Sequence, residues 1–226
     1  MQQQQQQGKI KLGYWDVRGR GEPIRLILNY LKLEYEDEIY PLNDREKWFN
    51  FKSKSQELFI NLPYIQIESK DKQSQQTYVE SDSISIFICQ NFGGEQLLGK
   101  DLVLLSKMRG ITEDVKLYLS RYAYHSDSAE ADQLFLQKRL QPILQSLNTY
   151  LQNENKYLLG CDVSYLDFFL YESLKTLEKI KKEYLQSNTN LLQYIENIES
   201  IPQIKAYLSS ERFHKDFLFY GDPSPI

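Results

Sequence analysis

Residues 13–19 read Gly-Tyr-Trp-Asp-Val-Arg-Gly, and the chain around this heptapeptide decides the fold. In the stretch that ends at Trp15, the third residue of the heptapeptide, Ile10, Leu12 and Tyr14 occupy every second position, which predicts a β-strand. Just after it, Pro23 begins a run with helical apolar spacing. The heptapeptide therefore ends a strand and leads into a helix, and Tyr14 is expected beside the helix N-terminus.

A phenol at this position favours the binding of an anion. Its hydroxyl can donate a hydrogen bond, and the N-terminus of a helix adds a potential that favours negative charge. We therefore predict that Tyr14 stabilises an oxyanion or a thiolate. The same pattern also fits a structural interpretation, in which Tyr14 and Trp15 are the aromatic end of a strand that seals the core.

Strand and helix signals continue as far as about Gly93. Alternating residues predict further strands, at 35–40, 62–67 and 77–80. Two more helices are expected, one capped by Asp44 and one that starts at Ser81. The resulting order, βαβ followed by ββα, predicts a first domain over residues 9–93.

Beyond this boundary the sequence predicts a second, all-helical domain over residues 94–226. Strand alternation stops, and apolar residues recur at helical spacing. The predicted helices cover residues 101–124, 129–151, 164–177, 191–198 and 201–208. Ser164 and Asp167 have the three-residue interval of a capping box. Residues 1–8, a polar Gln-rich start, are predicted to be a disordered tail.

Charge, hydropathy and cysteine content exclude several classes of function. A net charge of −4 and a pI near 5.4 argue against nucleic acid as a partner. No apolar stretch approaches the length of about 20 residues that spans a bilayer, so we expect a cytoplasmic protein with no membrane partner. Cys89 and Cys161 lie far apart, and His125 and His214 are isolated, so neither a disulfide framework nor a metal site is expected.

Several separated motifs occur in a fixed order along the chain. They are Gly-Tyr-Trp-Asp-Val-Arg-Gly, Asn61-Leu62-Pro63-Tyr64, Glu80-Ser81, Ser164-x-x-Asp167-Phe168, and Ile204-Lys205-Ala206-Tyr207 with Arg212-Phe213. Together they resemble cytosolic glutathione transferases, most closely the mu class, over about residues 9–219. The resemblance implies an α/β domain of thioredoxin-like fold followed by an all-α helical bundle domain. It also implies glutathione as co-substrate and no other cofactor.

The resemblance implies a set of residues around glutathione. Tyr14 would hold the sulfur as thiolate. The main chain of Leu62, before a cis-proline, would pair with the cysteinyl unit. Ser81 and the amides at its helix start would receive the γ-glutamyl carboxylate, and Glu80 its ammonium group. The other implied contacts are Trp15, Arg45, Trp48, Lys52, Asn61 and, from the second subunit, Asp114.

Without the resemblance, the same residues have structural interpretations. These are an edge-strand proline at Pro63, a helix cap at Ser81, a solvated Lys52 next to a core Trp48, and helix charge or packing at Asp114 and Tyr124. Two features also depart from the mu pattern. Glu80 stands where the class usually has Gln, and the stretch from Tyr40 to Asp44 is shorter than in typical members.

The resemblance further implies an electrophile site and a homodimer. The electrophile site would be bordered by Tyr14, Val17, Tyr124 and the aromatic residues Phe217 and Phe219. Phe59 would insert into the partner subunit, although a core role for Phe59 fits the sequence as well. The implied reaction joins glutathione thiolate to hydrophobic electrophiles, as in detoxification. The alternatives are a glutathione-dependent isomerase or peroxidase, or a non-catalytic carrier of hydrophobic ligands.

Overall fold

The computed structural model describes residues 8–69, 74–124, 133–152 and 155–214, so the expected Gln-rich tail lies outside the described residues. The described chain divides into two compact units. The first reaches Glu95 and also includes residues 209–214, whereas the second runs from Gln96 to Leu208. The sequence prediction assigns everything after residue 93 to the helical domain. The structure instead groups residues 209–214 with the first unit.

The first unit is built on a four-stranded mixed sheet. Its elements are β1 (Lys9–Trp15), α1 (Glu22–Tyr30), β2 (Tyr35–Tyr40), α2 (Arg45–Lys54), β3 (Tyr64–Glu68), β4 (Gln75–Val79) and α3 (Ser81–Asn91). The strand order is β2-β1-β3-β4, with β1 parallel to β2 and antiparallel to β3, and β3 antiparallel to β4. This arrangement confirms the thioredoxin-like prediction for the first part of the chain.

Helix α1 provides the crossover that a pair of parallel strands requires. Pro23 lies in its first turn, where a missing amide proton is tolerated. Apart from its last two residues the helix is buried, and it contacts α3. Helix α3 in turn contacts β3 and β4, so the buried residues of α1, α3 and the sheet contribute to the core of the first unit.

Helix α3 starts at Ser81, as predicted, but two capping interpretations differ from the structure. Asp44 precedes α2, but its side chain makes no capping hydrogen bond, so the predicted cap is wrong. Its backbone, at φ −128° and ψ 72°, is not in the extended conformation typical of a capping residue. At α3 the N-cap position is held by Glu80, and Ser81 is the first helical residue. The interpretation of Ser81 as the cap of α3 is therefore also wrong.

The described residues of the second unit form helices and one isolated β-bridge, Tyr157–Gly160. The helices are α4 (Leu102–Tyr124), α5 (Gln141–Tyr150), α6 (Tyr165–Ile180), α7 (Lys182–Gln186), α8 (Thr189–Glu199) and α9 (Pro202–Leu208). A π-helical turn, Leu136–Leu140, leads directly into α5. Helix α7 is absent from the sequence prediction. None of the helices in the described ranges combines the length and apolarity needed to cross a bilayer.

Helix α6 is the centre of the second unit, because it contacts α4, α7 and α8 and most of its residues are buried. Its start carries the predicted capping box of Ser164 and Asp167. The Asp167 carboxylate accepts hydrogen bonds from the Ser164 backbone N–H (2.7 Å), the Leu158 N–H (2.9 Å) and the Tyr194 hydroxyl (2.7 Å). One buried carboxylate therefore ties α6 to the preceding loop and to α8.

Candidate active site

Tyr14 lies buried near the end of β1, against the turn that starts α1. Two glycines allow this close approach. A Cβ atom at Gly21, the N-cap residue of α1, would lie 2.5 Å from Tyr14 Cδ1, and one at Gly19 would lie 2.7 Å from Tyr14 Oη. Only residues without a side chain fit at these distances. The tyrosine ring therefore lies beside the helix N-terminus, as the sequence predicts, and packs on residues 16–21, named here the Tyr14 loop.

The Tyr14 hydroxyl accepts a hydrogen bond of 2.9 Å from the Arg20 backbone N–H. This contact uses a lone pair of the phenol oxygen, and a phenol also has a proton that it can donate. The neighbouring amides of Gly21 and Glu22 both donate to the Arg18 carbonyl, at 3.1 and 2.8 Å. The hydroxyl of Tyr14, rather than those amides, is therefore the donor suited to an incoming anion.

The Tyr14 loop is held from β2 and from α1. The Asp16 N–H donates to the Tyr40 carbonyl at 2.9 Å, and the Arg25 guanidinium approaches the Val17 carbonyl at 3.4 Å. Arg25 is fully buried and also bonds to the Asp37 carboxylate, at 2.7 Å. Arg25 also bonds to the buried Glu22 carboxylate, at 3.1 Å, so this buried cation is paired with two carboxylates, and its contact with the Val17 carbonyl links the Tyr14 loop to α1.

Helix α2 is attached to the sheet through aromatic packing. The Trp48 ring centroid lies 5.4 Å from that of Tyr40, 6.3 Å from that of Trp15 and 6.2 Å from that of Tyr64. Lys52 shares the helix face of Trp48, with its Nζ 5.8 Å from the indole centroid. Trp48 thus has the core position that the structural interpretation gives it. Its contact with glutathione, like those of Lys52 and of the half-buried Arg45, stays a prediction.

The hydroxyls of Tyr40 and Tyr64 form a buried hydrogen bond of 2.7 Å within this aromatic packing. Burial raises the pKa of both phenols, and for Tyr64 the hydrogen bond to Tyr40 raises the pKa further. Both groups therefore stay neutral at physiological pH.

Strand register brings several predicted site residues to one end of the sheet. Gly13 of β1 pairs with Tyr64 of β3, and Tyr64 pairs with Val79 of β4. The residues that follow Gly13, precede Tyr64 and follow Val79 therefore meet at the same end of the strands, which is called the sheet edge here. These residues are Tyr14 and Trp15 on β1, Asn61 and Leu62 before β3, and Glu80 and Ser81 after β4.

The backbone at this edge has two special conformations. The Leu62–Pro63 peptide bond is cis, as the resemblance implies. Glu80 has φ +67°, in the left-handed region that side chains other than glycine rarely occupy. Such a residue persists only where its surroundings over-determine it, and functional sites are where such residues cluster. Glu80 is exposed and Ser81 is buried at the start of α3.

The remaining predicted residues are distributed over both units. Val17 is buried within the Tyr14 loop, whereas Phe59 is exposed in the first unit. Asp114 is exposed on α4, and Tyr124 is the half-buried last residue of that helix. Their roles stay predictions. Phe217 and Phe219, expected near the electrophile, lie outside the described residues.

Sequence reasoning did not find the backbone contact of Arg20 with Tyr14, because any residue except proline could supply that N–H. Glycines 19 and 21 were the available signal. Among the described residues, no group of three or more His, Cys, Asp or Glu side chains is arranged to hold a metal ion.

Comparison with known proteins agrees with these features. Residues 113–211 match the family model described as the glutathione S-transferase C-terminal domain. A class-mu 26 kDa glutathione S-transferase of Fasciola hepatica, isozyme 51, is 34% identical over 205 residues, which cover 91% of this chain and 90% of that protein. Glutathione S-transferase Mu 1 of Bos taurus is 30% identical over 215 residues, 92% and 94% of the two chains.

Solved structures give the same result. The crystal structure of the glutathione S-transferase Blo t 8 superposes with a TM-score of 0.74 at 26% identity, and covers 91% of this chain and 94% of that one. The fold and the motifs at the sheet edge are thus those of a glutathione-using enzyme, and the chain belongs to the glutathione S-transferase family. Within that family it groups with class mu.

Proposed function

We propose that this protein joins the sulfur of glutathione to hydrophobic electrophiles, and that Tyr14 holds the sulfur as thiolate. The observation that carries the proposal is the Tyr14 hydroxyl, which lies at the N-terminus of α1 and is held by the Arg20 N–H at 2.9 Å. A phenol oxygen fixed in this way can direct its proton to a sulfur at the same sheet edge.

The energy that such a contact supplies is sufficient for the task. A cysteine thiol has an ordinary pKa of about 8.5, and lowering it by about two units requires about 2.7 kcal/mol. A hydrogen bond to a charged acceptor contributes about 1.5 to 3 kcal/mol. The N-terminus of a helix adds up to about 1 kcal/mol near the surface. Tyr14 together with α1 therefore accounts for the required shift without a separate base.

The residues at the sheet edge would hold the peptide. The Leu62 main chain would pair with the cysteinyl unit, Ser81 and the start of α3 would bind the γ-glutamyl carboxylate, and Glu80 the ammonium group. Lys52 and Arg45 carry positive charge on α2 for the glycyl carboxylate, with Trp48 beside them. Trp15 and Asn61 complete the proposed glutathione contacts.

In the proposed reaction the thiolate attacks an electrophilic carbon. A carbon–sulfur bond forms, and in a substitution the leaving group departs with its electron pair. Tyr14 remains a neutral donor throughout, since a phenol has an ordinary pKa of about 10. Val17 and Tyr124 would contact the electrophile. Hydrophobic compounds are the proposed electrophiles, and the proposed role is detoxification.

We further infer a cytoplasmic homodimer. Leu58 and Phe59 are adjacent large apolar side chains, 90% and 76% exposed, and such pairs are typical of anchors in protein interfaces. In this dimer Asp114 of one subunit would approach the glutathione amine of the other. Cys89 and Cys161 are not joined in a disulfide, which is consistent with a reducing compartment.

The test of Tyr14 is the variant Tyr14→Phe, which removes one oxygen atom and keeps the ring. We expect kcat/KM with an activated aromatic halide to fall at least about tenfold, equivalent to about 1.4 kcal/mol. The ultraviolet absorbance of bound thiolate should then appear at a higher pH than in the wild type, closer to the pH at which free glutathione ionises.

Tyr78→Phe is the matched control, because the Tyr78 hydroxyl forms an exposed hydrogen bond to Gln76, at 3.0 Å. Its kcat/KM should equal that of the wild type. Unchanged conjugation by Tyr14→Phe would remove Tyr14 from the mechanism. A wild-type protein that binds hydrophobic compounds without conjugating them would instead favour the carrier.

A further inference from the structure

The last described residues of the chain contact the Tyr14 loop. The Arg18 guanidinium carbon lies 4.7 Å from the centroid of the Phe213 ring, a cation–π distance. The next residue, His214, has its Nδ1 3.3 Å from a carboxylate oxygen of Asp16. Two successive residues near the end of the chain therefore contact two residues of the loop that follows Tyr14.

A third contact of the same segment reaches a different part of the first unit. The Arg212 guanidinium carbon lies 4.2 Å from the centroid of the Tyr35 ring, and its Nη2 is 3.4 Å from the Tyr35 carbonyl. Tyr35 begins β2 and is not part of the Tyr14 loop. Arg212 thus attaches the segment to the unit without contacting that loop.

Arg18 connects the Phe213 ring to the turn that holds the Tyr14 hydroxyl. Its side chain is only 3% exposed, which is rare for arginine. Its carbonyl accepts the N–H groups of Gly21 and Glu22 and so closes the turn that starts α1. Within that turn lies the Arg20 N–H that bonds to the Tyr14 hydroxyl. Displacement of Arg18 would therefore move the amide that orients the phenol.

We propose that Phe213, supported by His214, positions the Tyr14 loop, so that the C-terminal segment sets how well Tyr14 stabilises the glutathione thiolate. The inference rests on the proposed role of Tyr14. Phe213 and His214 are positioning residues, because their contacts are with Arg18 and Asp16 rather than with the sulfur. Loss of the Phe213 ring would loosen the turn and weaken the hydrogen bond from Tyr14 to sulfur.

The experiment compares three variants of the full chain: Phe213→Leu, Phe213→Tyr and Arg212→Gln. The pH titration of bound glutathione, followed by thiolate absorbance, and kcat/KM with an activated aromatic halide are measured for each. For Phe213→Leu we expect the thiol titration to move up by about 0.5 to 1 unit and kcat/KM at neutral pH to fall about three- to tenfold, since one unit of thiol pKa is a tenfold change in its ionisation equilibrium.

The other two variants separate positioning from general structure. Phe213→Tyr keeps an aromatic face for Arg18, so bound glutathione should titrate as it does on the wild-type protein. Arg212→Gln removes the contact with Tyr35 and leaves the Tyr14 loop contacts in place, so its titration should also equal that of the wild type. Urea unfolding of each variant establishes that the proteins compared are folded.

The outcomes distinguish this inference from the proposed function. Suppose that the glutathione thiol titrates at a lower pH on the wild-type protein than in free glutathione, and at the same low pH on Phe213→Leu. That result would refute the inference and leave the proposed function standing. Equal upward shifts in Phe213→Leu and Arg212→Gln would refute the role assigned to Phe213, because they would show that attachment of the segment in general, and not the Phe213 ring, sets the titration. A wild-type titration equal to that of free glutathione would refute the proposed thiol activation, and the inference with it.

Discussion

Thr112 lies on the buried face of α4, and its hydroxyl has no hydrogen-bond partner among the described residues. Met108, Val115 and Leu119 share this face, at helical spacings of three and four. A buried hydroxyl that makes no hydrogen bond costs about 1 to 3 kcal/mol relative to its exposure to water. The buried Thr112 hydroxyl is therefore expected to lower the free energy of unfolding of the wild-type protein.

Replacement of Thr112 by valine should stabilise the second unit. Thr112→Val exchanges the hydroxyl for a methyl group of similar shape, and we expect the free energy of unfolding in urea to rise by about 1 kcal/mol. Thr176→Val is the control. The Thr176 hydroxyl donates to the Glu172 carbonyl at 3.0 Å, so its removal should leave stability unchanged or lower it. A less stable Thr112→Val protein would contradict the argument.

The two cysteines should react with thiol reagents at very different rates. Burial raises the pKa of the Cys89 thiol to about 12, so almost none of it is thiolate at pH 8. Cys161 is exposed. We expect one thiol per chain to be labelled rapidly in the native protein and the second only on unfolding. In Cys161→Ser the rapid phase should disappear, and its persistence would show that Cys89 is accessible.

At the residue scale, the sequence was most informative where a motif fixes a local conformation. The position of Tyr14 beside α1 and the shared helix face of Trp48 and Lys52 follow from short-range spacing, whereas the cis bond before Pro63 follows from the resemblance of its motif to the family. The contact of Phe213 with Arg18 does not, because residues so far apart in sequence meet only when the whole chain has folded.

Among the secondary-structure elements, α6 depends on one side chain at its start. Both oxygens of Asp167 accept hydrogen bonds, Oδ1 from the Leu158 N–H and Oδ2 from the Ser164 N–H. An asparagine here would turn its NH₂ group toward one of these backbone donors in either orientation. Asp167 is fully buried, so water cannot replace the lost bond.

We therefore expect Asp167→Asn to lower the free energy of unfolding by about 2 to 4 kcal/mol, measured in urea. The exposed Asp162 provides a control for the same change of charge, and Asp162→Asn should alter stability by less than about 0.5 kcal/mol. Equal stability of Asp167→Asn and the wild type would show that the capping box does not hold α6.

Elements with clear periodicity were predicted well, and short ones were not. The bounds of β1 and β2 agree with the alternation in the sequence, and in β1 the alternating residues Ile10, Leu12 and Tyr14 are buried. Helix α7 has only five residues, too few to show a helical period. The cap predicted at Asp44 failed because the backbone there does not adopt the geometry that capping needs.

For the whole molecule, the proposed dimer is the main expectation. Phe59→Ser should weaken self-association at least about tenfold, since an interface anchor contributes about 2 kcal/mol or more. Sedimentation velocity at micromolar concentration would detect the resulting monomer. Phe49→Ser is the control, because Phe49 is also a large exposed apolar residue, 56% exposed on α2, and is not expected at the interface. A monomeric wild type would contradict the dimer.

The overall architecture was accessible from sequence because its motifs, in the order in which they occur, resemble those of cytosolic glutathione transferases. The assignment of residues 209–214 was not, since the segment follows a run of helices in the sequence and yet packs on the first unit. Its attachment uses cation–π and charged contacts, which leave no periodic trace in the sequence.

The return of residues 209–214 to the first unit has a consequence for biosynthesis. A ribosome makes the chain from its amino end, so the strands and helices up to Glu95 emerge, and can begin to fold, long before Phe213 is added. Arg18 of the nascent first unit receives its aromatic cover only after the helices of the second unit have been made. If Phe213 positions the tyrosine as proposed, full thiol activation is delayed until the chain beyond those helices has been added.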